Sequence, residues 1–305
     1  MKEIRLMVAK CVATISPILW LIPSNHAACA VVIRHDVADS RYVVPEQSIP
    51  SLANLPSEGH GALIAPRWVV TVAHAVIDLR VRPPIDQYVM INNKRREVVS
   101  VVLYPDFETS NEAWKKMFEQ VKSGDAEEWK KRYDNAMASM HDIALIELKY
   151  PVYDVSPMPI YRGTAESGQR VEIYGAGATG TDVTGAPDSA PHRGVLRRAE
   201  NRITNASGPW LRYVFDCDAA ALPLEGAIGG GDSGGPLLIK SDGRWALAGL
   251  AHGLDGSLED LLHLRAGDFR QGVCGQTFAN TRLSFFAHWI DETTHASPKT
   301  STEQR

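Results

Sequence analysis

Between Gly59 and Leu103 the chain repeats one pattern, a short β-branched run closed by turn residues, and this rhythm excludes most architectures. Gly59-His60-Gly61 leads into Ala62-Leu63-Ile64, Pro66-Arg67 turns the chain, and Trp68-Val69-Val70-Thr71-Val72 follows as a second run. Val, Ile and Trp at that density fit a pleated, half-buried surface better than a helix. Gln87 to Ile91 and Val98 to Leu103 continue the pattern, and Val171 to Tyr174 and Val195 to Ile203 resume it in the second half. The class predicted is all-β. The sequence has no repeat of fixed period, so any duplication of the halves is structural.

One interval breaks the rhythm. From Phe107 to Met140, Ala113 to Val121 and Glu127 to Tyr133 are dense in helix formers, which predicts two short helices split by Ser123-Gly124. Trp114, Met117, Phe118 and Val121 recur at helical spacing, so one face of this insert (about 107–140) is expected to pack on the body. The mixed charges read as a solvated face, with a substrate-gating or partner-binding insert as the alternative.

The two ends differ from the rest. Lys2, Arg5 and Lys10 precede an apolar run from Cys11 to Ile22, and Ala28-Cys29-Ala30 places small residues where a signal peptidase reads. Residues 1–30 are therefore expected to be a secretory signal cleaved before Val31, too short in its apolar run for a retained span. A lipoprotein anchor at Cys29 is the lesser alternative. Removing three positive charges and one negative takes the formal net charge from −4 to −6. A mildly acidic, mixed-sign surface provides no basic footprint for nucleic acid, and no membrane attachment is expected after signal removal. The expected location is secreted or periplasmic. Glu292 to Arg305 lacks apolar periodicity and is expected to fray.

Cys217 and Cys274 are the two cysteines left after cleavage. Export makes a disulfide between them permissible, with free buried thiols as the alternative. No histidine lies at finger-like spacing from either, so no metal is expected there.

Chemistry concentrates in Gly229-Gly230-Gly231-Asp232-Ser233-Gly234-Gly235-Pro236, which runs into the apolar Leu237-Leu238-Ile239. Glycines allow positive φ and close approach to backbone N–H groups, and a serine held there, Ser233, is a candidate nucleophile. A phosphate-binding loop is excluded, because no Gly-Lys-Ser/Thr follows and the next run is β-like. A bare turn remains the alternative for the loop alone. Upstream lie a histidine at a strand end, Thr71-Val72-Ala73-His74-Ala75, and an acid entering a strand, Asp142-Ile143-Ala144-Leu145.

The three segments, in the order histidine, aspartate, serine, resemble those of the chymotrypsin/trypsin-like serine proteases. The resemblance runs from about Val31 to Asp291. It implies two six-stranded antiparallel β-barrels (about 31–160 and 161–283) with the active site between them, followed by a C-terminal helix over about 284–291. It implies His74, Asp142 and Ser233 as the triad and the N–H groups of Gly231 and Ser233 as the oxyanion hole. No metal or organic cofactor is implied, and the partner is a polypeptide substrate.

The chain also departs from the family. Ala75 replaces a cysteine common there. Ala227 stands where a trypsin-type enzyme has its specificity aspartate, so cleavage after Arg or Lys is not expected. In Gly249-Leu250-Ala251-His252-Gly253, Ala251 and His252 replace the usual serine and tryptophan. Asp142 is thus expected to lose one hydrogen bond, while Ala251, His252 and Gly253 are assigned to the substrate site. Phe278 is expected at the back of a shallow primary pocket. The activation motif Ile-Val-Gly-Gly is missing, and Val31, freed by signal removal, is expected to insert beside Asp232. The function expected is an exported serine endopeptidase acting through an acyl-enzyme, with a catalytically silent binding protein or an esterase-like hydrolase as alternatives.

Overall fold

The computed structural model describes residues 31–119, 124–187 and 190–295, so the expected signal segment lies outside the described residues. The chain begins with a two-residue strand, β1 (Val32–Ile33). Six strands follow: β2 (Leu52–Asn54), β3 (His60–Ala65), β4 (Trp68–Thr71), β5 (Tyr88–Ile91), β6 (Lys94–Leu103) and β7 (Ala144–Leu148). They close into a barrel in the order β2-β3-β4-β7-β6-β5, with every neighbouring pair antiparallel. After β8 (Arg170–Gly175), β9 (Arg197–Ser207) and β10 (Trp210–Val214) comes the short β11 (Gly226–Ala227), then β12 (Pro236–Ser241), β13 (Arg244–Leu254) and β14 (Thr277–Arg282). All but β11 form a second closed barrel, β10-β14-β13-β12-β8-β9. The expected architecture of two six-stranded antiparallel barrels is the one found.

Strands β4 and β7 are apolar on both faces, and the structure gives the reason. Val69 and Ile146 point into the first barrel, while Val70 and Leu145 point out into a core shared with Leu238, Leu247 and Leu250 of the second. All four are fully buried. Burying each such side chain is worth roughly 1.5–3 kcal/mol, so the same run that closes the barrel also holds the two barrels together.

The N-terminal segment sits differently from the expectation that the first barrel begins near residue 31. β1 pairs with β11, Tyr42 donates its hydroxyl to the Glu225 carbonyl, and Asp39 receives a two-point ion pair from buried Arg197, all on the second half. The apolar Val31, Val32 and Ile33 find cover there rather than on their own barrel.

Two helices preceded by the short α1 (Ile77–Val81) occupy the insert, α2 (Phe107–Glu119) and α3 (Ala126–Ser139). Asp125 caps α3 by accepting the Glu128 N–H at 2.8 Å. Trp129, Tyr133 and Met137, four residues apart, form the buried stripe of α3. Although the insert lies in sequence between β6 and β7, this stripe packs on Trp210 and Ala279 of the second barrel and on α4 (Leu258–Ala266). Trp210 donates its indole N–H to the Met137 carbonyl at 2.6 Å. α4 has a full capping box between Ser257 and Asp260.

The last helix, α5 (Leu283–His295), corrects the expected boundary: residues 292–295 are helical rather than frayed. Leu283, Phe286 and Ile290 anchor one face in the shared core, and Arg162 grips Asp291 at 2.7 and 2.8 Å. An anchored helix adds one hydrogen bond per further residue, so the final turn follows cheaply. The rest of the expected tail, 296–305, lies outside the described residues. Cys217 and Cys274 form the disulfide, with Cα atoms 5.8 Å apart. Among the described residues no helix is long and apolar enough to cross a membrane.

Candidate active site

Strand register brings the site together. β4 and β7 pair with Thr71 opposite Ala144. Because they are antiparallel, His74, three residues beyond Thr71, and Asp142, two before Ala144, emerge at the same end. On the second barrel, Pro236 opposite Leu250 starts the pairing of β12 with β13. Just before it, the Gly234 N–H donates to the Ala251 carbonyl and the Ala251 N–H to the Gly235 carbonyl, each at 2.8 Å. His252 therefore lies beside the serine loop.

The loop is also tied to the first barrel. The Ser233 carbonyl accepts the His60 N–H at 2.7 Å, and the Gly231 carbonyl accepts the Gly59 N–H at 3.1 Å. At Gly234, φ is +77°, and a Cβ there would lie 2.1 Å from the His60 carbonyl oxygen and 2.3 Å from Thr71 Oγ1. Glycine is required there on both counts.

The structure brings the three expected residues into hydrogen-bonding distance. His74 Nε2 lies 2.8 Å from Ser233 Oγ, and its Nδ1 lies 2.6 Å from Asp142 Oδ2. Asp142 Oδ1 accepts the His74 backbone N–H at 2.9 Å, which fixes the carboxylate plane. A carboxylate accepts only, so Nδ1 carries the proton and Nε2 keeps a lone pair for the serine hydroxyl. Asp142 is fully buried. Burial works to raise its carboxyl, but the adjacent His74 and His252 outweigh that and hold it well below the usual carboxylate range. Burial pulls the His74 imidazole down, and the Asp142 charge and hydrogen bond, with Glu58 adding, bring it above its ordinary value.

His252 corrects two expectations. Its Nδ1 lies 2.6 Å from Asp142 Oδ2, so the hydrogen bond expected to be lost with Ala251 is supplied by the next residue, and its ring faces the aspartate. The signal was available in sequence, since the loss and the new imidazole are adjacent.

A cleft of about 600 Å³ opens beside His74 and Ser233, lined among others by Glu58, Arg82, Lys115 and His192. Lys115 comes from α2, so the insert borders the cleft. Ala227, Ala251 and Phe278, expected to line the substrate site, are buried in the core cluster of the second barrel. Ala227 is held in the β1–β11 pair, and Phe278 stacks on Tyr213 with centroids 5.7 Å apart. Their apolar side chains turn inward, while Gly253 stays partly exposed.

Gly231 takes φ +87°, and a Cβ there would meet the His192 carbonyl oxygen at 2.5 Å. Next to it Asp232 is fully buried and accepts the N–H groups of Gly177 at 2.7 Å and Gly229 at 2.8 Å. Burial raises it to about 6, against the bonds from Gly229, Gly177, Val31 and Ala176. Val31 is itself buried beside it, at φ +63°, a strained value for a β-branched residue.

His60 is the residue that sequence reasoning passes over. Buried behind Ser233, its Nε2 accepts the Ala176 N–H at 3.2 Å, so its Nδ1–H donates to Asn54 Oδ1 at 2.8 Å. Burial lowers it to about 3, with Arg193 adding. A polar residue between two glycines at the entry of an apolar strand is its signal in sequence.

The His74, Asp142 and His252 ligand atoms also lie within 4.8 Å of one another, but hydrogen bonds account for the grouping.

Comparison with known proteins bears on this arrangement. The sequence model of the Trypsin family matches residues 40–257, ending one residue before α4. The solved structure of mouse neuropsin, described as a serine protease expressed in the limbic system of mouse brain, superposes with a TM-score of 0.53 at 18% identity, covering 83% of this chain and 98% of that one. At that identity the likeness is one of fold, and the family match spans most of the chain, including all three segments that meet at the cleft. This chain therefore belongs to the chymotrypsin/trypsin-like family of serine proteases.

Proposed function

We propose that the chain is an exported serine endopeptidase. Ser233 attacks the scissile carbonyl, His74 takes the hydroxyl proton and later delivers it to the leaving amine, and Asp142 holds the tautomer and stabilises the imidazolium. An acyl group on Ser233 is the intermediate, released by water through the same base. The N–H groups of Gly231 and Ser233 stabilise the oxyanion. The observation that carries the reading is His74 bridging Ser233 Oγ at 2.8 Å and Asp142 Oδ2 at 2.6 Å.

The absence of an acid at position 227, where the resemblance places the specificity aspartate of trypsin-type enzymes, supports small or medium apolar residues rather than Arg or Lys at the cleaved position. A panel of peptides differing at that position tests this: hydrolysis after Ala, Val or Leu is expected, and preference for Arg or Lys would reject it.

Activation follows from signal removal before Val31. Val31 is buried next to Asp232 with a strained φ, and its N–H is among the groups bonded to that carboxylate. Cutting the 30–31 peptide bond relieves the strain and puts an ammonium beside the buried carboxylate. Export and activation are then one event.

A further inference from the structure

Asp142 Oδ2 lies 2.6 Å from two imidazole nitrogens, Nδ1 of His74 and Nδ1 of His252. His252 cannot be a bystander in this arrangement. Its side chain is only 11% exposed, it packs on the Trp210 ring with centroids 4.6 Å apart, and it meets the His74 ring edge-on at 5.5 Å. Trp210 is fixed in turn by its bond to the Met137 carbonyl, so the insert buttresses the ring.

We propose that His252 is a positioning residue for the triad, holding Asp142 through the same carboxylate oxygen that His74 uses and linking the charge of that aspartate to pH. The proposal rests on reading His74 and Asp142 as base and orienting acid.

With Nδ1–H given to the carboxylate, His252 in its neutral form adds a donor and leaves the aspartate charge intact. A second proton, taken at Nε2, turns it into a cation against the same oxygen. That cation offsets the negative charge which makes His74 a stronger base, and it repels the imidazolium His74 must become during attack. Because both rings contact one carboxylate oxygen, a proton on either ring opposes a proton on the other.

Other charged groups are arranged so as not to compete. From β10 the residue on the ring is Trp210, which does not titrate. Arg212 on the same strand is paired with Asp255, three residues past His252. From α3, Tyr133 bonds the Leu254 carbonyl and the Gly256 N–H. On β14, Thr281 donates to the Asp142 carbonyl. The contacts of the ring are with Asp142, His74 and Trp210.

The test uses the full processed chain with Ser233→Ala, so that it reads the histidines whether or not peptide is cleaved. Imidazole resonances are followed by NMR against pH, with His252→Asn as the probe, since an asparagine side chain offers a donor at the place of Nδ1 but does not titrate. Two coupled steps are expected at His74 when His252 is present, and a single step in the His252→Asn chain. Asp142→Asn is expected to shift the Nδ1 proton signals of both histidines, which keeps the test open if His252→Asn folds poorly. In the active chain, the acid limb of kcat/KM should steepen from about 10-fold to about 100-fold per pH unit below the lower of the two steps, and stay at about 10-fold throughout in His252→Asn. An unchanged His74 titration in His252→Asn, or a His252 signal indifferent to Asp142→Asn, would overturn the proposal. Coupled titration in a chain that cleaves no peptide would uphold the pair and reject the peptidase reading instead.

Discussion

His60 Nε2 accepts the Ala176 N–H across 3.2 Å, a buried bond that joins the first barrel to the second directly behind Ser233. The bond needs a neutral ring. With the folded value at about 3 and the ordinary value at 6.5, the unfolded chain binds a proton in that window which the native chain refuses. Stability should therefore fall as pH drops from about 6.5 toward 3, by an amount on the order of a few kcal/mol. Urea midpoints across that range are expected to show a shallower fall in His60→Asn. Equal slopes would mean that His60 is protonated in the native state.

The raised His74 sets a second pH dependence, in activity. A general base works only when neutral, so the acid limb of kcat/KM should have its midpoint above 6.5. Asp142→Asn removes both the charge and the acceptor for Nδ1–H. It is expected to cut kcat by about four orders of magnitude, the size of effect that a wrong tautomer has in such a triad. A loss of less than tenfold would remove Asp142 from the mechanism.

Processing should be visible in rate and stability together. A chain beginning at Val31 is expected to be at least tenfold more active than one with Ala30 retained, and more resistant to denaturant. In the uncleaved chain Asp232 sits at about 6, above its unfolded 3.8, so its ionisation opposes folding as pH rises through that value. The ammonium of Val31 removes this penalty. Identical stability profiles for the two chains would contradict the inserted terminus.

The disulfide closes a separation of 57 residues. In the chain-entropy account, a loop of that length is worth about 4 kcal/mol. Replacing Cys217 and Cys274 with serine should lower the unfolding free energy by roughly that amount while leaving the distances at the triad, and so the rate at low temperature, largely unchanged. Thermal unfolding beside a rate assay measures both.

Much of this is legible in the chain because it is written in local signals. The β rhythm, the helix-forming insert and the serine loop with its glycines all depend on neighbours in sequence, and the pairing of Cys217 with Cys274, 57 residues apart, follows from their being the two cysteines left after the signal. What the residues do not disclose depends on contacts across the fold. Met137 reaches Trp210 from 73 residues away, and Ala227 and Phe278 turn inward because of strand pairings that no single segment specifies. The end of α5 escapes a local reading for a related reason: its last turn is polar and is held by the anchored face behind it. His252 stands out in sequence as a substitution, but its bond to Asp142 requires the pairing of β13 with β12 and the end-to-end register of β4 with β7.

The central claim is that Ser233 is a nucleophile activated by His74. Labelling of the processed chain with a fluorophosphonate reads this directly, because the reagent bonds to an activated serine oxygen. Rapid labelling is predicted for the chain beginning at Val31, abolished by Ser233→Ala and strongly slowed by His74→Ala. Failure of the correctly processed, folded chain to label, or labelling that persists in Ser233→Ala, would contradict it.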